Sequence, residues 1–356
     1  MVEGGPKIRF TLLQAGRGVA ALLVLLFHLS TTIFASSKFW NVEIDGGLMR
    51  FGHEGVAFFF VLSGFIILHA HLADIGRPER LGDYGFKRLT RIYLPYWVVV
   101  FPLIAIYLLF PSMGKPELTA HAVLLNSPLL IGLNSHAALS VAWTLFHEIA
   151  FYALFALAIL DRRIGIAVLL IWQLACAVSF FMEEPLHYTL HPINLLFGMG
   201  MASRIALGRW RVSAPLAVMW GGIVVTALLG LVLDYTQWVG GYLPSLLFGA
   251  ASCAFVLGGV EAERQGRVSA PASLKLLGDA SYALYLVHYP LLSILARLFM
   301  APPLRMIPAP IAYLLMTGAC ILAAVLFHKL IEKPLMGLVT RKSSPIGGVG
   351  EPRPAR

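Results

Sequence analysis

Arg17 and His28 fall inside one apolar run, 11–32, eleven residues apart. Eleven residues of α-helix turn through about 1100°, three turns and roughly 20° more, so the two share a face about 16.5 Å apart along the axis. Ala21 and Val24 lie between them on that face and leave it unobstructed. The pair offers a fixed cation and an imidazole whose ordinary pKa, close to neutral, suits a general base. Two readings fit. Either Arg17 grips an anion while His28 takes a proton from a hydroxyl, or Arg17 snorkels to headgroups and a backbone carbonyl satisfies His28.

Other ionisable groups interrupt apolar runs, where they are costly and usually functional. Glu148, five residues into the run 143–160, is expected about 7.5 Å below its boundary, at a depth His28 can share. It is then either the carboxylate that orients His28 or a protonated acid bonded within its own helix. His147 precedes it, but Phe151 stands four residues on, so the two-histidine zinc motif is absent. Ser281, Tyr285 and His288 follow i, i+4, i+7 spacing and form one polar stripe, for chemistry or for interhelical hydrogen bonding. Arg88 and Arg91, three apart, can fork onto phosphate oxygens or simply anchor a helix end. Glu332 closes the last apolar run, where it can pair with one of these arginines. His69, His71, His187 and His191 sit at run ends without metal-site spacing.

The elements that must position these groups are membrane helices. The 356 residues are 58% hydrophobic and 13% charged, with mean hydropathy +0.79, against about 25% charged in soluble domains. Ten runs are long enough to cross a bilayer or nearly so: 11–32, 52–71, 92–110, 143–160, 164–181, 192–206, 214–233, 243–259, 278–298 and 309–330. The apolar segment 121–133 is short and broken by Asn126 and Pro128, so it reads as interfacial or re-entrant. With the amino terminus inside, all but Lys38, Arg50, Lys115, Arg297 and Arg305 of the 27 basic residues fall on the inner side. That asymmetry is the positive-inside pattern, and an even number of spans preserves it. The fold class is therefore all-α, a bundle of about ten transmembrane helices with both termini cytoplasmic.

The net charge of +9 is spread over inner loops, which argues against nucleic-acid binding. Cys176, Cys253 and Cys320 lie within spans and read as small apolar residues. Arg17 within the first run argues against a cleaved signal peptide. A membrane domain is expected over 8–335 and a disordered tail, rich in Pro and Gly, over 343–356. The long loops 33–51 and 111–142 both fall outside. Gly55, Gly64, Gly198 and Gly200 read as close helix packing, and Phe58, Phe59 and Phe60 as core.

Six fragments in order resemble the acyltransferase-3 family: LQAGR at 13–17 through Phe27 and His28; GVAFFFVLSGF at 55–65; Arg88 and Arg91 with Tyr93 and Pro95; WTLFHEIAFY at 143–152; SYALYLVH at 281–288; and EKP at 332–334. One departure stands out, since members commonly carry an acidic residue where this chain has Ala57. The resemblance implies a multi-pass protein of the bacterial inner membrane with no bound cofactor. It implies acyl-CoA, acetyl-CoA above all, as cytoplasmic donor and a surface carbohydrate or lipid-linked precursor as acceptor. The positions matching its functional motifs are Arg17, His28, Arg88 and Arg91, with Glu332 a looser match.

On that footing Arg88 and Arg91 are expected to hold CoA phosphates, Arg17 to guide the pantetheine arm and His28 to act as base. Glu148 would orient His28, and Ser281 or Tyr285 would donate to the oxyanion, with His288 a further participant. A proton-coupled transporter and a structural subunit of a polysaccharide export complex are the rival classes. Acceptor identity and oligomeric state are not legible.

Overall fold

A computed structural model describes residues 10–113, 120–130, 137–182, 187–236 and 241–342, so the expected tail at 343–356 lies outside the described residues. Within them the chain is helical and carries no strand. The helices are α1 (Thr11–Phe27), α2 (Gly55–His71), α3 (Leu81–Leu109), the short α4 (His121–Asn126), α5 (Trp143–Leu160), α6 (Arg162–Ser179) and α7 (Leu195–Arg209). There follow α8 (Pro215–Thr236), α9 (Leu243–Arg264), α10 (Ala272–Asp279), α11 (Ser281–Met300), α12 (Ala309–Phe327) and α13 (Lys333–Lys342). Two helices change pitch: α1 continues as a π-helix from His28 to Phe34, and α12 passes through a π-helical segment, His328–Glu332, into α13.

Among the described residues nine helical stretches are long and apolar enough to cross a membrane. The remaining expected span is α7, which runs 195–209 rather than 192–206. Its 15 residues reach about 22 Å, short of a hydrocarbon core about 30 Å thick, and a 3-10 turn, Pro192–Asn194, extends it. The second span is the most enclosed, with 61% of its apolar window buried, against 22% in the spans holding α3, α8 and α12. The exposed faces stay apolar, as at Leu170, Ile171, Leu314 and Leu322.

Lipid tails are as apolar as leucine, so helices associate by close packing rather than by the hydrophobic effect. The α2–α7 contact shows how. A Cβ at Gly64 would sit 2.1 Å from the Phe197 carbonyl oxygen, and one at Gly200 1.9 Å from that of Val61. Phe60 stacks on Phe197 and Phe197 on Phe151, with centroids 4.7 and 4.4 Å apart, so this part of the aromatic run is core. At the α5–α6 turn the Asp161 carboxylate accepts from the backbone N–H of Arg163 and Ile164, both at 2.8 Å, and caps α6.

The segment before α5 is folded into the protein. Tyr96, midway along α3, donates to the Ser127 carbonyl at 2.8 Å. Trp97 and Tyr93 donate to the carbonyls of Pro128 and Leu129, at 2.8 and 2.5 Å. Ser127 Oγ accepts from Ala138 N–H at 2.7 Å. Non-helical backbone away from water needs such partners, and α3 supplies them from three aromatic residues within about one helical turn. Ala137, Ala138, Leu139, Val141 and Ala142 are all buried. The segment expected to be interfacial or re-entrant is thus tied to α3 over its described residues, and α5 begins next to buried backbone, inside the protein.

Candidate functional site

Arg17 sits where α1 meets a cluster of opposed charges. Its electrostatic neighbours are Arg91 from α3, Glu148 from α5 and Glu332 from the second π-helical segment, with Tyr152 beside them. Its own guanidinium donates to Gln14 Oε1 at 3.3 Å. Tyr282 of α11 faces Glu148, Glu332 and Arg91 and donates to the Ile92 carbonyl at 2.8 Å. Arg88, one turn before Arg91, lies beside Tyr84 and Tyr152. Arg17, Arg88, Arg91, Glu148 and Glu332 thus share one polar region, supplied by four separate elements and arranged around cations that an anion can meet.

The opposite end of α1 holds imidazoles. Gly18 packs so closely on α10 that a Cβ there would lie 2.8 Å from the Gly278 nitrogen. Ten residues on from each, His28 Nδ1 and His288 Nε2 are 3.3 Å apart, so α1 and α11 run side by side in the same direction. His28 Nδ1 is also 2.9 Å from the Val24 carbonyl, and His288 Nδ1 is 2.9 Å from the Leu284 carbonyl. A carbonyl only accepts, so each Nδ1 carries a proton. His28 Nδ1–H then serves both Val24 and His288 Nε2, and the lone pair of a neutral His28 ring resides on Nε2. The Phe27, Tyr289 and His288 rings enclose the imidazole. The helix changes to π pitch at this residue, a distortion frequent at functional sites.

Tyr285 lies between the two ends. Its hydroxyl donates to the Val141 carbonyl at 2.6 Å and meets the Thr144 hydroxyl at 2.8 Å. Ser281 is fully buried and its Oγ has no hydrogen-bond partner among the described residues.

Three expectations need correction. Glu148 does not orient His28: its carboxylate accepts from Tyr152 and, at 3.3 Å, from Ser63. Because α5 starts within the protein rather than at its boundary, Glu148 reaches the Arg17 end, and the partner of His28 is His288. Among the described residues Glu332 bonds no arginine; it pairs with His328 at 2.8 Å, one helical turn away. The face between Arg17 and His28 is also covered, since Ala21 and Val24 are each only 2% exposed. Ala57 is buried within the apolar core.

Sequence spacing missed His71, Asp74 and His328, although i, i+3 and i, i+4 intervals to a carboxylate marked them. His71 Nδ1 is 2.8 Å from Asp74 Oδ2, and its Nε2 is 2.8 Å from Arg88 Nη2.

Comparison with known proteins covers almost the whole of this arrangement. Residues 11–329 match the acyltransferase-3 family, described as an acyltransferase domain. The exopolysaccharide production protein ExoZ of Rhizobium meliloti (strain 1021) is 30% identical, over 84% of this chain and 94% of that protein. The acyltransferase MdmB of Streptomyces mycarofaciens is 27% identical over 94% of each chain. Protein 2 in the picA locus of Rhizobium radiobacter is 28% identical over 42% of this chain and 83% of its own length. No solved structure matches.

Proposed function

Because this chain belongs to the acyltransferase-3 family and is an O-acyltransferase, we propose that it carries an acetyl group from acetyl-CoA to a surface-carbohydrate hydroxyl. The donor lies on the Arg17 side, taken as cytoplasmic, and the acceptor, a surface polysaccharide or its lipid-linked precursor, on the His28 side. The membrane is then the bacterial inner membrane. The observation that carries this reading is the division of one helix: cations gather at the Arg17 end and an imidazole pair with an assigned tautomer at the other. The exopolysaccharide role named for the Rhizobium meliloti relative supports a carbohydrate acceptor.

In this reading Arg88 and Arg91 hold CoA phosphates and Arg17 steers the pantetheine arm along α1. His28 Nε2 takes the proton of the acceptor hydroxyl as its oxygen attacks the thioester carbonyl. His288 holds the ring in place and accepts from Nδ1–H as positive charge develops. When the C–S bond breaks, His28 returns the proton to the departing thiolate, so the base is regenerated without net proton uptake. Two hydroxyls on α11 are proposed for the oxyanion: Tyr285, whose ring centroid is 6.0 Å from that of His288, or Ser281, seven residues before His288 and buried without a partner among the described residues. Glu148 and Glu332 balance the cations at the donor end. Ala21 and Val24 are packed over, so α1 and its neighbours part slightly to pass the acyl chain.

Purified protein given labelled acetyl-CoA and an acceptor polysaccharide tests this. His28→Ala is expected to lower turnover by about 10²–10⁴-fold while donor binding persists. Wild-type acylation by that variant overturns the assignment. A folded wild-type protein that neither transfers nor hydrolyses the donor favours the transporter or export-subunit class instead.

A further inference from the structure

At the end of α2, His71 and Asp74 form a line to Arg88 of α3, and neither of these two takes part in the acyl transfer proposed above. Asp74 Oδ2 lies 2.8 Å from His71 Nδ1, and His71 Nε2 lies 2.8 Å from Arg88 Nη2. Arginine has no lone pair to offer, so Nη2 donates and His71 Nε2 accepts. The imidazole proton is therefore on Nδ1, where Asp74 accepts it. The carboxylate fixes the tautomer, and the tautomer fixes the acceptor that the guanidinium meets. His71 is buried and its ring lies edge-on to Tyr84, with centroids 4.9 Å apart, which prevents it from turning away. Arg88 Nε is buried and has no hydrogen-bond partner among the described residues. Arg88 is held by one nitrogen while another donor remains free. A long cationic side chain loses much conformational entropy when a ligand immobilises it, and this arrangement removes part of that loss beforehand.

We propose that His71 and Asp74 are positioning residues for the donor site: they orient the Arg88 guanidinium toward an anionic, phosphate-bearing donor and touch no reacting atom. This rests on the reading of Arg88 as a donor-binding residue. The expected consequence is confined to donor affinity. His71→Ala raises the apparent acetyl-CoA KM, and the Kd of a non-transferable thioether analogue of acetyl-CoA, about three- to tenfold. It leaves kcat within about twofold of wild type. Asp74→Ala acts in the same direction and by less.

A glutamine can accept from Arg88 at the position of His71 Nε2 without a carboxylate behind it. His71→Gln therefore keeps donor affinity near wild type, and adding Asp74→Ala to it has no further effect. A merely structural pair would lower thermal stability in both backgrounds and would not be rescued in this way. Arg88→Ala, which raises the same constants about tenfold or more, is the reference. In its background His71→Ala adds nothing, because the group it positions is gone.

The outcomes separate. If Arg88→Ala leaves analogue binding unchanged, the donor-site reading of Arg88 fails and this inference with it. If Arg88→Ala weakens binding but His71→Ala does not, or if the two effects add, the positioning role is overturned and the donor site stands.

Discussion

The hydroxyls of Ser281 and Tyr285 lie one turn apart on α11, yet their surroundings set different consequences for removal. Tyr285 joins the Val141 carbonyl and the Thr144 hydroxyl, both buried. Tyr285→Phe removes both bonds and leaves the two groups only their own long contact, Thr144 Oγ1 to the Val141 carbonyl at 3.5 Å; it is expected to cost about 1–3 kcal/mol, seen as a lower melting temperature. Ser281 Oγ is buried without a partner among the described residues, so Ser281→Ala removes no protein hydrogen bond and should hold stability within about 0.5 kcal/mol. If Ser281 donates to the oxyanion, Ser281→Ala lowers kcat about tenfold or more with the melting temperature unchanged. Melting curves paired with initial rates check both variants. Equal rates for Ser281→Ala and wild type would return this residue to packing alone. The same distinction separates what side-chain spacing reveals from what it does not. The i, i+4, i+7 stripe was legible in the sequence; which of its hydroxyls is already engaged depends on Val141 and Thr144, at the entry to α5 across from it.

At the scale of elements, catalysis as proposed depends on α1 and α11 keeping a common register, and glycine sets it. A Cβ on Gly278 would lie 2.0 Å from the Gln14 carbonyl oxygen, and backbone cannot swing aside as a side chain can. Gly278→Ala must therefore push α10 from α1 and shift His288 relative to His28. A stability loss of about 1–3 kcal/mol is expected, together with a fall in kcat larger than any change in donor KM. Gly82→Ala, where nothing lies within 4 Å, is the matched control, and helix propensity alone makes it neutral or stabilising by about 0.5–1 kcal/mol. Thermal unfolding and steady-state rates measure both; a silent Gly278→Ala would mean that the helices tolerate separation there. The membrane helices were legible because bilayer thickness demands long apolar runs, and the eleven-residue interval identified the interior stripe of α1. The depth of Glu148 was not. An apolar run looks the same whether its first turn stands at a membrane boundary or is sheltered by a folded segment. Here Ala137–Ala142 shelter it, so counting from Trp143 placed the carboxylate too near His28. The change to π pitch at His28 likewise leaves no trace in hydrophobic periodicity.

For the whole molecule, direction of travel and charge give two independent arguments about α7, the shortest helix in the position of a span. α1 and α11 are parallel, since Gly18 meets Gly278 and His28 meets His288. Between the end of α1 and the start of α11 the chain must therefore cross an odd number of times. The other long helices between them, α2, α3, α5, α6, α8 and α9, number six, so α7 has to supply the seventh crossing despite its 15 residues. Charge agrees: with α7 as a crossing, Arg209 and Arg211 join Arg77, Arg162, Arg163, Arg264 and Arg267 on one face, while Lys38, Arg50, Arg297 and Arg305 occupy the other. Single cysteines placed at exposed positions test this in intact cells with a membrane-impermeant maleimide. Cys176 and Cys320 are buried and contribute little background, and Cys253 is half-buried within α9. Lys38→Cys and Arg305→Cys are expected to label from outside; Arg77→Cys and Arg211→Cys should label only after permeabilisation. If α7 failed to cross, Arg211 and Arg305 would exchange sides while Lys38, Arg77 and a Phe181→Cys probe, exposed between α6 and α7, kept theirs; loss of an earlier crossing after Arg77 would move Phe181 as well. Labelling of Lys38→Cys only after permeabilisation, with Arg77→Cys open to the outside, would invert the whole bundle. It would put the arginine cluster on the face away from cytoplasmic acyl-CoA, and the direction of transfer proposed here would fail with it.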